Sequence, residues 1–170
     1  MPVRRLSVRY EGKVWRHIPP GTFGLHVGRI LRADGRWNRP SLYGCLYTAL
    51  TKKGVVAEFQ KVLDHFDSYP KTRDIVSIKV ELDPVVDLTD PATSPIPPIT
   101  AFLTGDTDQD IEQCRKLADG LRSFGYVGIL ALSAAARGEK NMKIYIDGPA
   151  SSIMLEDGGD RIPVTLSPSG

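Results

Sequence analysis

A strict alternation of apolar and polar residues over positions 76–82 constrains the fold of this chain more than any other feature. The apolar positions are Val76, Ile78, Val80 and Leu82, and the polar positions are Ser77, Lys79 and Glu81. A period of two residues is typical of a β-strand, in which successive side chains lie on opposite faces. We therefore predict a strand with one buried face. Pro84 is expected to end it, because proline has no amide hydrogen to donate to a neighbouring strand.

A first amphipathic helix is predicted up to residue 66, because its apolar residues recur every three to four positions. They are Val55, Val56, Phe59, Val62, Leu63 and Phe66. Thr51 precedes them and belongs to a residue type that caps helix N-termini. Glu58 falls at the border of the apolar stripe, where a carboxylate is partly removed from water but still reaches a cleft. Lys53, Lys61 and Asp64 are expected to point outward.

A second amphipathic helix is predicted to begin at Thr107, which has the spacing of a capping box with Asp110. The apolar stripe of this helix consists of Ile111, Cys114, Leu117, Ala118 and Leu121. Gly125 is expected to end the helix, since glycine readily adopts the conformation that follows a last helical turn.

The remaining segments are predicted to be strands and loops. Residues 5–18 are expected to form two short strands around Glu11-Gly12, and further strands are expected at 42–50, 129–132 and 143–146. Loops are expected at 19–41, at the proline-rich segment 90–99 and at 133–141. Residues 153–165 resemble a hairpin that turns at Asp157-Gly158-Gly159-Asp160.

This order of elements lacks the regular alternation of strand and helix that builds a parallel sheet. It favours an α+β fold with a mainly antiparallel sheet and flanking helices. A length of 170 residues suits one domain. We expect its core to span about residues 14–148, with residues 149–170 as a C-terminal hairpin or tail.

Positive charge is concentrated in the first third of the chain. Residues 1–53 contain 11 Lys and Arg against two acidic residues, a formal charge of +9, whereas the whole chain carries +2. The rest of the chain is therefore acidic. Such an asymmetry points to an anionic ligand or partner, such as a phosphate, a nucleic acid or an acidic protein surface. A solvated arginine-rich surface is the alternative.

Several common kinds of site are excluded by the sequence. It has neither GxGxxG after a strand nor GxxxxGK[ST] for phosphate binding, and no GxSxG around a serine. The three histidines and two cysteines lack zinc-ligand spacing, so we expect no metal. No signal core or membrane-length apolar run is present, and two cysteines do not make a disulfide framework. We expect a cytoplasmic protein with no membrane partner.

The residues that remain suit a site for a phosphorylated sugar. Arg16 and Arg36 are candidate phosphate ligands, because a guanidinium is planar and permanently charged. Tyr47 offers an aromatic face for a base or a nicotinamide ring. Glu58 can hydrogen-bond a ribose hydroxyl and stabilise an oxocarbenium-like centre. Ser133 offers a hydroxyl on the loop that follows a buried strand.

Two stretches of the sequence resemble the RES domain family. The first runs from VWRHIP through GRWNRPSLYGCLYTALTKKGVVAEFQKVL, and the second is GYVGILALSAAARGEKNMKIYI. Together they cover roughly residues 14–148. The resemblance implies a fold similar to that of ADP-ribosyltransferase toxins. It also implies a bacterial toxin that consumes NAD+ as substrate, without further cofactor, and is paired with an Xre-like helix-turn-helix antitoxin that plugs the active-site entrance.

The family's functional residues fall on named positions of this chain. The resemblance implies catalytic roles for Glu58, Arg36 and Tyr47. It implies substrate binding by Arg16 and Ser133, and Tyr43 and Asn141 are secondary contacts. His17 departs from the pattern, since relatives often carry an aromatic residue after the first arginine.

Three functions stay open at this point. Relatives break the nicotinamide–ribose bond with inorganic phosphate as co-substrate, giving ADP-ribose 1″-phosphate, or with water. Transfer of ADP-ribose to a protein is an alternative on the same fold. A non-enzymatic nucleic-acid-binding module is a second alternative, although the N-terminal arginines are scattered and few aromatic residues lie between them, so we expect no direct contact with nucleic acid. The oligomeric state, a homodimer included, is also open.

Overall fold

The structure is a computed structural model that describes residues 7–28, 30–32, 34–148 and 152–169. In these ranges it has six strands: β1 (Val8–Ile18), β2 (Leu46–Ala49), β3 (Lys71–Asp87), β4 (Gly128–Leu132), β5 (Lys140–Ile144) and β6 (Ile153–Leu166). Two α-helices, α1 (Lys52–Phe66) and α2 (Asp108–Ser123), accompany them, with single 3₁₀ turns at Ile30–Arg32 and Ala101–Leu103. Every strand pair is antiparallel except β3 with β4. The predicted α+β class with a mainly antiparallel sheet is confirmed.

The sheet closes on itself through β3. Its strand order is β1-β2-β5-β4-β3-β6, and β1 pairs with β3 as well. Five strands therefore form a closed circuit, and β6 adds to the outside of β3. Buried side chains from all five strands of the circuit form one core cluster, which includes Val14, Ile78 and Met142.

The long strand β3 differs from its prediction in two ways. It does not end at Pro84 but runs on to Asp87, where it pairs with β4. Residues 74–78 are all buried, so both of its faces are covered rather than one. Ile75 packs with Val55 of α1, whereas Ile78 lies in the cluster shared by the circuit. Alternation located one apolar face, but it could not show that α1 covers the other.

Residues 153–166 form one strand, so the predicted C-terminal hairpin is wrong. β6 pairs with β3 along most of its length, with Val76 opposite Arg161 and Ile78 opposite Asp157. The three residues between Asp157 and Arg161 face only Ser77, which makes this segment a bulge rather than a turn. A Cβ on Gly158 would lie 2.3 Å from the Ser77 hydroxyl oxygen, and this close approach explains the glycine.

Three other strand boundaries also differ from prediction. β1 is one continuous strand through Gly12 instead of two short strands, because it pairs with β3 over its whole length. β2 is shorter than the predicted strand 42–50, and residues 42–45 lie outside it. β5 begins at Lys140, three residues earlier than expected. Residues 5 and 6 of the predicted first strand lie outside the described residues.

The two predicted helices and their caps are confirmed, except at the C-terminal end of the α1 stripe. The Thr51 hydroxyl accepts a hydrogen bond from the Gly54 amide, and Thr107 with Asp110 forms a complete capping box. Val62 and Phe66 were expected in the buried stripe of α1 but are 42% and 73% exposed. Lys61 was expected to point outward, yet it is partly buried and makes two polar contacts.

Helix α2 packs against the sheet through a second core cluster. Its Cys114, Ala118 and Leu121 contact a set that includes Trp37 and Tyr145. Both cysteines, Cys45 and Cys114, are buried free thiols. Neither helix of the described residues is long and apolar enough to span a bilayer.

Two Gly→Ala substitutions test the bulge. Gly158→Ala should lower the free energy of unfolding by about 1–3 kcal/mol, because the added methyl group overlaps Ser77. Gly120→Ala, on α2 with no atom near the new Cβ, should raise it by about 1 kcal/mol. Urea unfolding followed by circular dichroism measures both. Equal stability of the Gly158→Ala variant and the unchanged protein would contradict the bulge.

Candidate active site

The predicted acid Glu58 lies half-buried on α1 and receives two hydrogen bonds from other elements. The Ser133 hydroxyl donates to Oε1 of Glu58 at 2.9 Å, and the Asn141 side-chain amide donates to the same oxygen at 2.6 Å. Ser133 directly follows β4, and Asn141 lies in β5 opposite Ala131. The antiparallel β4–β5 pair therefore brings both donors to the helix.

Glu58 is held in its ionised form. Burial raises the pKa of its carboxyl group, but the Lys143 ammonium and the hydrogen bonds from Asn141 and Ser133 outweigh this, so that the pKa lies below its ordinary value. Lys61 acts in the same direction. A carboxylate at this place carries its negative charge at neutral pH and remains available to stabilise a cation.

Lys143 is a buried cation that sequence analysis did not select. It lies on β5 directly opposite Tyr47 of β2 and is 6% exposed. Its ammonium is 5.0 Å from the centroid of the Tyr47 ring. Burial lowers the pKa of Lys143, whereas the negative charge of Glu58 raises it. The sequence did contain an indication of this cation, because Lys143 lies within the apolar run Met142–Tyr145. A lysine in a buried strand is uncommon unless its charge has a partner.

Tyr47 is fixed by its hydroxyl group. It donates to Oδ1 of Asn38 at 2.8 Å and accepts a hydrogen bond from the Trp37 amide at 3.0 Å. A Cβ on Gly35 would lie 2.0 Å from the Tyr47 hydroxyl oxygen, so only glycine fits there. The turn that carries Arg36 is thus packed directly on β2.

Arg36 is held by the segment that precedes α2. One guanidinium nitrogen donates to the carbonyl oxygens of Leu103 and Gly105, at 3.2 and 2.7 Å, and another donates to the Asp106 carboxylate at 2.8 Å. Lys61 of α1 donates to the same Asp106 oxygen. Arg36 is therefore linked to α1, three residues from Glu58, and its charge also acts on Lys143.

Two of the predicted substrate ligands, Arg16 and Tyr43, make no described contact with Glu58. The Arg16 guanidinium donates to the carbonyl oxygens of Gly24 and His26, and burial together with Arg73 lowers its pKa to about 10. It fastens the loop after β1 and has no described contact with Glu58.

Tyr43 belongs to a separate ionic network on α2. Its hydroxyl donates to Asp119 at 2.7 Å, and the Arg122 guanidinium stacks 3.7 Å above its ring. Arg39 pairs with Asp119 and Glu112 in the same network. Tyr43 therefore anchors the loop before β2 to α2 and makes no described contact with Glu58.

The N-terminal surplus of positive charge is partly compensated within the chain. Arg9, Lys13, Arg36 and Arg39 each form an ion pair with a carboxylate from the acidic later part, respectively Glu81, Asp160, Asp106 and Glu112. Part of the charge asymmetry in the sequence therefore reflects ion pairs within the folded chain, and only the remainder is available to a ligand. Arg4, Arg5 and Arg29 lie outside the described residues.

Comparison with known proteins identifies the family. The model of the RES domain matches residues 4–163, which is nearly the whole chain. The chain belongs to the RES domain family. The crystal structure of the M. tuberculosis MbcT-MbcA toxin-antitoxin complex contains a similar fold, with a TM-score of 0.61 and 16% sequence identity over 98% of this chain and 92% of that chain. At this identity the likeness concerns the fold alone. A search of curated proteins finds no match.

In this RES domain, two predicted residues, Ser133 and Asn141, contact Glu58 directly. Arg36 and Tyr47 are linked to it through Lys61, Asp106 and Lys143. His17, which departs from the family pattern, stacks on Phe59 with ring centroids 5.5 Å apart, and burial lowers its pKa to about 3. It is therefore a neutral packing residue beside the acid. Within the described ranges no group of His, Cys, Asp or Glu side chains converges as a metal site.

Replacing Lys143 tests the electrostatic control of Glu58. In Lys143→Met the pKa of Glu58 should rise, because the nearby positive charge that favours the carboxylate is gone while the burial remains. Carbon-13 NMR titration of the glutamate carboxyl groups measures it. Lys140→Met, on the exposed part of the same strand, is the matched control and should leave the pKa of Glu58 unchanged. A Glu58 pKa that is equal in both variants would refute the role of Lys143.

Proposed function

We propose that this RES domain is a toxin that consumes NAD+ by breaking the bond between nicotinamide and ribose. The observation that carries the proposal is the half-buried, ionised Glu58, which is held by Ser133 and Asn141 and flanked by cationic side chains. Such a site suits a substrate that carries phosphate groups and develops positive charge on a sugar.

The chemistry of NAD+ fits this arrangement. The cationic nicotinamide leaves as a neutral molecule with the bonding electron pair, and positive charge then develops at the ribose C1″. A fixed carboxylate close to that carbon stabilises the oxocarbenium-like transition state more than the ground state, which is what accelerates a reaction. Glu58 needs no proton for this role, in agreement with its lowered pKa.

Asn141 provides a second reason to place a sugar beside Glu58. Its side chain is 2% exposed, and its Oδ1 atom has no hydrogen-bond donor among the described residues. A buried acceptor without a donor is costly, so such an atom is well suited to receive a hydrogen bond from a ligand. A ribose hydroxyl that donates to Asn141 or Glu58 would orient C1″ toward the carboxylate.

Replacing the acid tests the proposal. Glu58→Gln keeps the size and the polar contacts of the side chain but removes its charge, so nicotinamide release from NAD+ should fall by about 10²–10³-fold. Asp64→Asn, an exposed acid on the same helix, is the matched control and should retain its activity. Liquid chromatography of nicotinamide measures both variants. Release at the native rate by Glu58→Gln would exclude the acid from the reaction.

The products of the reaction identify which molecule accepts the ADP-ribose group. We infer that inorganic phosphate is the acceptor, because cations surround the carboxylate, and mass spectrometry should then find ADP-ribose 1″-phosphate only when phosphate is added. ADP-ribose alone, formed at the same rate without phosphate, would indicate water as acceptor. Release that requires an added protein would indicate protein ADP-ribosylation.

We also propose that an antitoxin protein of the Xre-like helix-turn-helix class binds this chain. The support is the family and the similar fold found in a toxin–antitoxin complex. Expression of the chain alone should stop bacterial growth, and co-expression of the cognate antitoxin should restore it. The Glu58→Gln variant should be harmless in both cases. Growth arrest that Glu58→Gln causes equally would contradict toxicity through this site.

No described feature favours the nucleic-acid-binding alternative. Four of the basic residues on which it relied are already paired with carboxylates. The acid, the asparagine and the serine at the centre of the site also have no role in holding a polyanion.

A further inference from the structure

Two cations of the site share one carboxylate oxygen. Oδ1 of Asp106 accepts a hydrogen bond from the Arg36 guanidinium at 2.8 Å and another from the Lys61 ammonium, also at 2.8 Å. The Asp106 side chain is 64% exposed, whereas those of Arg36 and Lys61 are 14% and 35% exposed. The Asp106 carboxylate is therefore the member of this group of three that is most open to water, and the two cations are more enclosed.

Both cations are also held by contacts that do not involve Asp106. Arg36 donates to the carbonyl oxygens of Leu103 and Gly105, and Lys61 donates to that of Ala134 at 3.2 Å. These carbonyl groups keep the two side chains in place if the carboxylate leaves. Arg36 and Lys61 thus form a preorganised pair of cations with a common anion-binding position between them.

This position lies next to the acid. Lys61 follows Glu58 by three residues on α1, so the two side chains are on neighbouring parts of one helix face. The Ala134 carbonyl that binds Lys61 belongs to the residue after Ser133, whose hydroxyl binds Glu58. An anion held by Arg36 and Lys61 would therefore sit beside the sugar that Glu58 is proposed to contact.

A pyrophosphate fits this position better than the carboxylate that occupies it. Each phosphate of a dinucleotide matches a carboxylate in charge and in terminal oxygens, and the pyrophosphate as a whole offers more of both, so it can accept charge-assisted hydrogen bonds from the two cations at once. The Asp106 side chain is 64% exposed, so water can solvate its carboxylate when it leaves the two cations, which keep their hydrogen bonds to backbone carbonyl oxygens. The hydrogen bond from Lys61 lowers the pKa of Asp106, which keeps it an anion at neutral pH.

We propose that Arg36 and Lys61 together bind a phosphate group of the dinucleotide, and that Asp106 is an internal anion which occupies this site until the substrate displaces it. The inference rests on the proposed function for the identity of the ligand. It adds a binding residue, Lys61, to the site, and it gives Asp106 the role of a competitor.

Binding of ADP-ribose, measured by isothermal titration calorimetry, tests the proposal without any turnover. Lys61→Met should weaken binding about tenfold or more, because one hydrogen bond between charged groups is lost. Lys61→Arg should retain most of the affinity. Asp106→Asn should bind ADP-ribose several-fold more tightly, since the competing charge is gone. Lys53→Met, an exposed lysine on the same helix, is the control for net charge and should bind like the unchanged protein.

The outcomes separate this inference from the proposed function. Weaker or unchanged binding by Asp106→Asn overturns the competitor role, and equal affinities of Lys61→Met and Lys53→Met overturn the role of Lys61. Absence of ADP-ribose binding by the unchanged protein overturns both. The proposed function fails instead if the unchanged protein releases no nicotinamide from NAD+, whatever the affinities are. Thermal melting of each variant shows that it is folded, and the Asp106→Asn result stands independently of the Lys61 variants.

Discussion

A carboxylate that is partly removed from water needs hydrogen-bond donors inside the protein, and at Glu58 both donors come from outside its helix. Ser133 follows β4 and Asn141 lies in β5, so they reach Glu58 only when α1 packs on the sheet in one register. A shift of β5 by one residue would turn Asn141 to the other face of the sheet. The site therefore depends on strand pairing as much as on the residues themselves.

The same register of β5 also positions a positive charge that compensates the negative charge of Glu58. Lys143 is two residues after Asn141 and lies on the same face of β5, opposite Tyr47. A buried lysine and a half-buried glutamate each reduce the cost of burying the other, although no contact ion pair joins them. Arg36 and Lys61 extend the cationic surroundings toward the segment before α2. Two acids, Glu58 and Asp106, are thus set among three cations, which leaves this group of side chains with one positive charge in excess.

Charge was the property for which sequence and structure gave the most different accounts. The basic N-terminal third points to an anionic ligand or partner, with a solvated arginine-rich surface as the alternative, yet four of its cations pair with acids that lie far along the chain. Arg16 was assigned to the substrate by resemblance, but it holds a loop through backbone carbonyls. Composition counts charges, and only the folded chain shows which of them already have partners.

The sequence by itself determined the features that depend on neighbours along the chain. Both helices with their caps and the alternation of the central strand are local patterns, and local sterics and hydrogen bonds suffice to set them. The residues Arg36, Glu58 and Ser133 were found in a different way, through the resemblance of two sequence stretches to the RES domain family. The tertiary structure decided what depends on distant partners. The bulge at Gly158, the buried ammonium of Lys143 and the inward turn of Lys61 toward Asp106 follow from contacts between residues at least 45 positions apart in the sequence, which no periodicity encodes.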